Sequence, residues 1–388
     1  MTMINSGNNE KAPRKLGLYI HIPFCRTKCL YCDFCSFVSR DVDEREQYVL
    51  ALLNEINTRS TREYLVDTIY FGGGTPSLLS TDQIGRILSS VRENFVVDDD
   101  VEITLECNPL THLDDGREYF AHLRSLGVNR LSIGIQSAMD SELKLIGRRH
   151  SFNEAKKTFS DARESGFDNI SIDLMFGIPS QTVESLKISL DEFLSLGAEH
   201  ISIYSLQLEE GTPLHKMQDR YDFADDDMAA DMYEMINSTM NGAGYCHYEI
   251  SNYAKDGKES RHNSKYWILE EYLGLGLSAH SDFSDKRSEN TCIMEDYLVG
   301  KYLSNEKKID ASEREFEYIM LGLRMKNGIS KSEFFSRFGV DFDQKYGKKI
   351  ENLAKMGYFS KNNERLALSE SGFEVSNMIL AQILDFDY

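Results

Sequence analysis

The sequence predicts an α/β protein, a parallel sheet of βαβ units followed by a smaller, mostly helical unit. Three observations carry that reading. Six short β-branched or aromatic runs recur through the first half, at Leu16–Ile22, Thr68–Phe71, Glu102–Leu105, Arg130–Ile135, Ile170–Met175 and His200–Leu206. Segments of helical periodicity separate them, at Glu44–Thr58, Thr81–Phe95, Tyr119–Leu126, Asn153–Ser165 and Val183–Leu196. Strands that alternate with helices form right-handed crossovers and hence a parallel sheet. The third observation is the loss of this alternation after about Leu208. Six units point to an incomplete relative of the eight-unit barrel rather than an open doubly wound sheet, and periodicity alone leaves both open.

Composition bounds the rest. A chain of 388 residues accommodates one large domain and a smaller one. Hydrophobic content of 41%, with 11% aromatic residues, supports a full core rather than disorder. The net charge of −20 argues against nonspecific binding to nucleic acid or anionic membranes. No apolar run approaches the ~20 residues of a membrane helix, so an integral membrane protein is not expected. Residues 1–15, MTMINSGNNEKAPRK, lack the apolar stretch of a signal peptide and read as a flexible lead-in. Seven cysteines, four of them clustered, fit a reducing compartment, and the expected location is cytoplasmic.

The first run ends at Ile22-Pro23, and Cys25, Cys29 and Cys32 follow it in a C-x3-C-x2-C pattern. Three thiolates on one loop can hold three irons of a [4Fe-4S] cluster, which leaves the fourth iron open to a small molecule. Structural zinc is the rival, but it wants four closed ligands. A trio of core cysteines is the bland alternative, and the polar Arg-Thr-Lys loop suits it badly. Each later run also ends in or contains something chemically useful. Gly72-Gly73-Gly74-Thr75 follows the second, Glu106 and Asn108-Pro109 the third, and Gln136-Ser137 the fourth, while Asp173 lies in the fifth and Tyr204 in the sixth. Parallel barrels build their sites at these carboxyl ends. The triple glycine is neither a P-loop nor a dinucleotide fingerprint. It can bring bare backbone N–H and C=O groups against an amino-acid ligand.

Beyond Leu208, Asp219–Met240 reads as an acidic helix. The phrase Arg261-His262-Asn263-Ser264-Lys265-Tyr266-Trp267 and the glycine-rich loop from Tyr272 to Ser281 come next. The C-terminal order is three helices (Glu313–Met325, Ser330–Phe338, Phe342–Met356), a hairpin (Tyr358–Leu368) and a last helix (Ser371–Ile383), which is winged-helix-like. With 11 Lys and Arg against 12 Asp and Glu over residues 311–388, this domain is not expected to grip phosphates.

The cysteine pattern, with Tyr31 just before its third member, resembles the signature of the radical S-adenosylmethionine (SAM) superfamily. More narrowly, LYIHIPFC, FGGGTPS, ECNP, GVNRLSIGIQS, IDLMFGIPSQT, YEISNYAK, HNSKYW and YLGLGLSAHS resemble the oxygen-independent coproporphyrinogen III oxidase family, including its heme-chaperone branch. The resemblance implies an incomplete (β/α)6 TIM-like radical SAM barrel over residues 16–207. It further implies a family-specific extension over 208–310 and a mostly helical, winged-helix-like domain over 311–388. It also implies [4Fe-4S] ligation by Cys25, Cys29 and Cys32, with S-adenosylmethionine on the open iron. Around that cofactor the matching positions are Tyr19, Tyr31, Gly73, Gly74, Thr75, Glu106, Gln136, Arg148 and Asp173. Two departures favour the chaperone branch over the oxidase. Phe34 stands where the oxidase has a fourth cysteine, and the 24 residues before Cys25 are fewer than the oxidase extension. His262, in the H-N-x-x-Y-W phrase, is the implied contact for heme. The implied partners are heme and apo-hemoproteins, including membrane respiratory enzymes.

Overall fold

The computed structural model describes residues 13–385 apart from residues 40, 361 and 363. Residues 1–12 of the expected lead-in lie outside the described residues. Arg14 and Lys15, assigned to that lead-in, instead open the first strand.

The six expected strands form and lie side by side in chain order, all parallel. They are β1 (Arg14–Ile22), β2 (Thr61–Gly73), β3 (Phe95–Cys107), β4 (Arg130–Gln136), β5 (Ile170–Phe176) and β6 (His200–Ser205). The crossover helices are α1 (Val42–Thr58), α2 (Thr81–Asn94), α3 (Gly116–Leu126), α4 (Phe152–Glu164) and α5 (Val183–Leu196). Ser80, Ser151 and Thr182 close reciprocal capping boxes with Gln83, Glu154 and Ser185. These boxes stop the helices at the strand ends and satisfy otherwise unpaired first-turn N–H groups.

At 13 residues each, β2 and β3 outrun the four-residue runs expected of them. Their leading ends mix polar residues such as Arg62, Glu63, Asp98 and Asp99 with apolar ones, and pair at Thr61–Phe95, Leu65–Val96 and Val66–Val97 through an irregular ladder. The later segment extends the same sheet on both edges. Beyond β6 come β7 (Cys246–Glu249) and β8 (Asn252–Ala254), both antiparallel. At the other edge β9 (Tyr272–Leu275) adds a seventh parallel strand beside β1. Three antiparallel strands follow it, β10 (His280–Phe283), β11 (Lys286–Asn290) and β12 (Leu303–Lys308).

Alternation along the strands decides what the barrel holds. Leu131, Ile133 and Ile135 of β4 join the apolar core under the helices, while Arg130, Ser132, Gly134 and Gln136 line the interior. On β5, Ile172 and Leu174 go outward and Asp173 and Met175 inward. The outer face glues helices to sheet, and the inner face is left for chemistry.

A helical turn closes the barrel floor. With α6 taken as Asp226–Gly242, the plug is α7 (Arg261–Trp267), which contains the His262–Trp267 phrase. The Glu102 carboxylate of β3 accepts the backbone N–H groups of Arg261 and His262, each at 3.1 Å. This charge sits where a helix N-terminus favours an anion. Lys265, 2% exposed, pairs with Asp67 of β2 at 2.8 Å and with Glu270 at 2.6 Å.

The C-terminal domain packs α8 (Ala311–Gly322), α9 (Lys331–Phe338), α10 (Phe342–Lys355), α11 (Glu370–Glu374) and α12 (Ser376–Leu384) around its own core. The expected hairpin is reduced to Arg365–Leu366 paired with Ile329–Ser330, plus a bridge between Phe359 and Leu368. The expected last helix breaks at Val375. Asp282 of β10 ties this domain to the sheet by accepting from Arg314 at 2.8 Å, and Arg287 of β11 does so by donating to Glu317 at 2.6 Å. Among the described residues no helix is long and apolar enough to cross a membrane.

Removing one partner of a buried ion pair costs more than replacing both. Asp67→Ala strands the buried Lys265 ammonium on Glu270 alone and is expected to cost about 3 kcal/mol. The paired change Asp67→Leu with Lys265→Met should recover most of that in urea unfolding. A double variant no more stable than Asp67→Ala would refute the pairing.

Candidate functional site

The cysteine loop is built before any ligand is considered. Phe24–Cys25 pairs with Phe37–Val38, the Phe37 N–H donates to Pro23 O at 2.7 Å, and the Ser39 N–H donates to Cys25 O at 3.2 Å. These bonds pinch the loop at its base. Leu30 anchors its far side, donating to Ile146 O at 3.1 Å and accepting from the Leu214 N–H at 2.9 Å. Cys25, Cys29 and Cys32 are free thiols. Burial raises the pKa of Cys25 and of Cys32.

All three thiols line one cavity of about 350 Å³ at the carboxyl ends of the parallel strands. The same cavity receives Tyr31, Gly73, Gly74, Thr75, Glu106, Gln136, Arg148 and Asp173 from the expected set. Cys35 is not among its lining residues and lines a second cavity. No three His, Cys, Asp or Glu side chains among the described residues converge on a point that could hold a single metal ion. A structural zinc would need that convergence.

Glycine is required where β2 ends. Gly73 has φ of +109°, and a Cβ there would meet the His21 ring at 2.5 Å. A Cβ on Gly74 would stand 2.7 Å from Phe24 O and 3.1 Å from Cys25 Sγ. Backbone therefore abuts the cysteine loop directly. At the end of β4, Gln136 adopts φ of +79°, a conformation uncommon for a non-glycine residue, at an irregularity in the ladder to β5.

The charged groups form a half-buried set along the cavity wall. Glu106 accepts from Tyr70 Oη at 2.8 Å and from the Gly73 N–H at 3.2 Å. Burial pushes its carboxyl up to about 7 against those two donors. Asp173 accepts from Ser132 Oγ at 3.3 Å, and burial raises it to about 6. Arg148 donates to Gly134 O and lies 3.5 Å from Cys29 Sγ, while its buried Nε has no partner. A guanidinium with an unspent N–H beside the thiols is a natural seat for a carboxylate. On another side Tyr31 and Leu206 pack with Ile146, Met175 and Ile178 into a small apolar wall.

Two expected residues lie elsewhere. Tyr19 faces the second cavity, with its hydroxyl 3.0 Å from His21 Nδ1. His262 is enclosed. It is 1% exposed, with Nδ1 at 2.9 Å from Thr68 Oγ1 and Nε2 at 2.9 Å from Tyr266 Oη. Both ring nitrogens are taken, and burial pushes its pKa down to about 3. In this conformation the imidazole is a strut of the barrel floor, and binding iron at Nε2 requires Tyr266 to move away. From the same phrase Asn263 does reach the first cavity.

Tyr70, Cys107, Arg130, Ser132 and Ser202 also line that cavity and were not singled out from the sequence. The alternation Arg-Leu-Ser-Ile-Gly-Ile-Gln over Arg130–Gln136 was the available signal, because polar residues at every second position mark one face of a strand.

With the geometry in hand, comparison identifies the chain. The Radical SAM superfamily pattern matches residues 19–193, and the HemN C-terminal domain pattern matches residues 309–375. The protein named heme chaperone HemW from Bacillus subtilis is 37% identical over 379 residues, covering 94% of this chain and 98% of its own. Its namesake from Escherichia coli is 34% identical, covering 95% and 98%. The chain belongs to the HemW family. Mitochondrial radical S-adenosyl methionine domain-containing protein 1 of Mus musculus, 39% identical over 401 residues, covers 97% of this chain and 88% of its own. The solved structure of coproporphyrinogen III oxidase HemN from Escherichia coli superposes with a TM-score of 0.84 at 24% identity, covering 96% of this chain and 91% of that one. That likeness establishes the radical SAM barrel fold with its C-terminal domain.

The raised carboxyls make a pH prediction. A carboxyl with a folded pKa above its unfolded value is held best when protonated, so it costs stability as pH rises between the two. For Glu106 that window runs from its ordinary value near 4.5 to about 7. Ligand-free Glu106→Gln should gain about 1–3 kcal/mol on wild type between pH 5 and pH 8. Parallel stability curves for the two proteins would contradict the burial argument.

Proposed function

We propose that this protein is a heme carrier that delivers heme to apo-hemoproteins, holding a [4Fe-4S] cluster on Cys25, Cys29 and Cys32 with S-adenosylmethionine beside it. One observation carries the reading. Three loop thiols, Arg148 and two half-buried carboxyl groups meet in one cavity of a chain whose full-length relatives are named heme chaperones.

The residues fit the two cofactors. Each thiol would give up its proton on becoming a cluster ligand, and three thiolates would leave one of the four irons for an exchangeable ligand. Arg148, with its unspent Nε, pairs the methionyl carboxylate. Glu106 and the bare backbone at Gly73 and Gly74 accept the ammonium or orient it, and Asp173 takes a ribose hydroxyl. The wall of Tyr31, Met175 and Ile178 suits the adenine ring. When bound, the cluster and S-adenosylmethionine supply one-electron and radical chemistry.

The alternative within the family is coproporphyrinogen III oxidation to protoporphyrinogen. Phe34 and the high identity to the named chaperones support the carrier reading over it. Anaerobically reconstituted protein should bind heme stoichiometrically and form no protoporphyrinogen from coproporphyrinogen III. Repeated turnover to protoporphyrinogen would overturn the proposal.

The cofactor assignment has its own test. Arg148→Ala and Asp173→Ala should each weaken S-adenosylmethionine binding by about 1–3 kcal/mol, the range for losing a charged hydrogen bond, without changing cluster content. Cys35→Ser should keep the ~400 nm absorbance of the cluster, and Ser at Cys25, Cys29 or Cys32 should lose it. Wild-type binding in both cavity variants, or cluster loss in Cys35→Ser, would break the residue assignments.

A further inference from the structure

A second cavity of about 310 Å³ adjoins the first, with Phe34 and Gly73 in the walls of both. Its surface is aromatic. Tyr19 stacks on Tyr70 with ring centroids 6.2 Å apart, and Tyr266 meets Tyr272 edge-on at 4.6 Å. Phe34 sits at its edge with 61% of its surface exposed. Two side chains able to ligate iron line it, the free thiol of Cys35 and the imidazole of His280. The His280 ring is 58% exposed, and its nearest ion-pairing group is Glu289 at 3.9 Å. His21 also lines the cavity but is engaged at both nitrogens, with Tyr19 Oη at 3.0 Å and Cys35 O at 2.9 Å.

We propose that this second cavity seats the heme, its iron ligated by the Cys35 thiolate or the His280 imidazole and its ring edge lying against Tyr266, Tyr272 and Phe34. The inference rests on the heme-carrier reading and gives it a place. Thiolate and imidazole are both established axial ligands of heme iron, and flat aromatic walls suit a macrocycle. A cavity of 310 Å³ is at the small end of ligand pockets, ~300–1,000 Å³, so part of the ring stays outside. A cargo that must be handed on needs such partial burial.

The geometry also gives the H-N-x-x-Y-W phrase a role that does not require its histidine to touch iron. His262 Nε2 bonds Tyr266 Oη and thereby fixes the ring that walls this cavity, while Asn263 reaches the neighbouring one. His262 is a positioning residue in this account.

The test titrates ferric heme into full-length, anaerobically reconstituted wild type and into Cys35→Ser, His280→Ala, the double variant and His262→Ala. Cluster iron and sulfide content and S-adenosylmethionine binding are measured on the same samples to verify folding. The double variant should lose at least tenfold in heme affinity with cluster content unchanged. One of the single variants should change the ferric-heme spectrum, which names the ligand. His262→Ala should lower affinity while leaving the wild-type axial-ligand spectrum in place. Heme bound equally well by wild type and double variant would overturn this cavity, as would a ligand spectrum lost only in His262→Ala. A wild type that takes up no heme would instead remove the carrier reading itself, and this inference with it.

Discussion

Charge has to be held inside this barrel partly out of solvent, and that constraint organises the rest of the structure. Arg130, Glu106, Asp173 and Arg148 all line the interior cavity, while Ile103, Leu105, Leu131, Ile133, Ile135, Ile172 and Leu174, at alternate strand positions, join the apolar core. Burying such groups is costly unless each finds a partner. The interior therefore carries hydroxyls at Tyr70, Ser132 and Ser202 and closes its floor with α7 rather than with solvent. Glu102 illustrates the economy of the arrangement. One inward carboxylate on β3 caps the helix N-terminus, and the helix in turn carries Lys265 to Asp67 and His262 to Thr68. Groups still without protein partners, such as Arg148 Nε and Arg130 Nε, lie in residues lining the open end. Binding capacity is left where the strands end.

The cysteine loop depends on that frame in a second way. Its base is a two-residue pairing and its far side hangs from Ile146 and Leu214, both outside β1. Three thiols so held line one cavity. The glycine run completes the fit because any side chain at Gly73 or Gly74 would collide with His21, Phe24 or Cys25.

Much of this was legible in the sequence. The order of strands and helices followed from periodicity, because each strand must present an apolar face to a crossover helix. That the loop cysteines and the strand-end groups share one cavity was legible because a parallel barrel gathers carboxyl ends in one place. Less visible were the leading halves of β2 and β3, where polar residues interrupt the apolar ones and the ladder is irregular. The placement of β9 beside β1 depends on a return of the chain from more than 250 residues away, which local patterns do not encode. His262 is ambiguous in the sequence for a related reason. A histidine flanked by aromatics reads alike as a surface ligand or an interior strut, and only the packing of α7 against β2 decides between them. The polar members of Arg130–Gln136 were readable as one face, once the interior rather than the helical side is treated as the functional one.

The account stands or falls on an iron left open by the Cys25, Cys29 and Cys32 loop and facing Arg148, Glu106 and Asp173. Electron–nuclear double resonance on the reduced, reconstituted cluster, with S-adenosylmethionine labelled at its amino nitrogen, tests this most directly. Nitrogen hyperfine coupling to the cluster, present with wild type and absent without the cofactor, is the predicted result. A cluster spectrum that S-adenosylmethionine leaves unchanged would contradict the account.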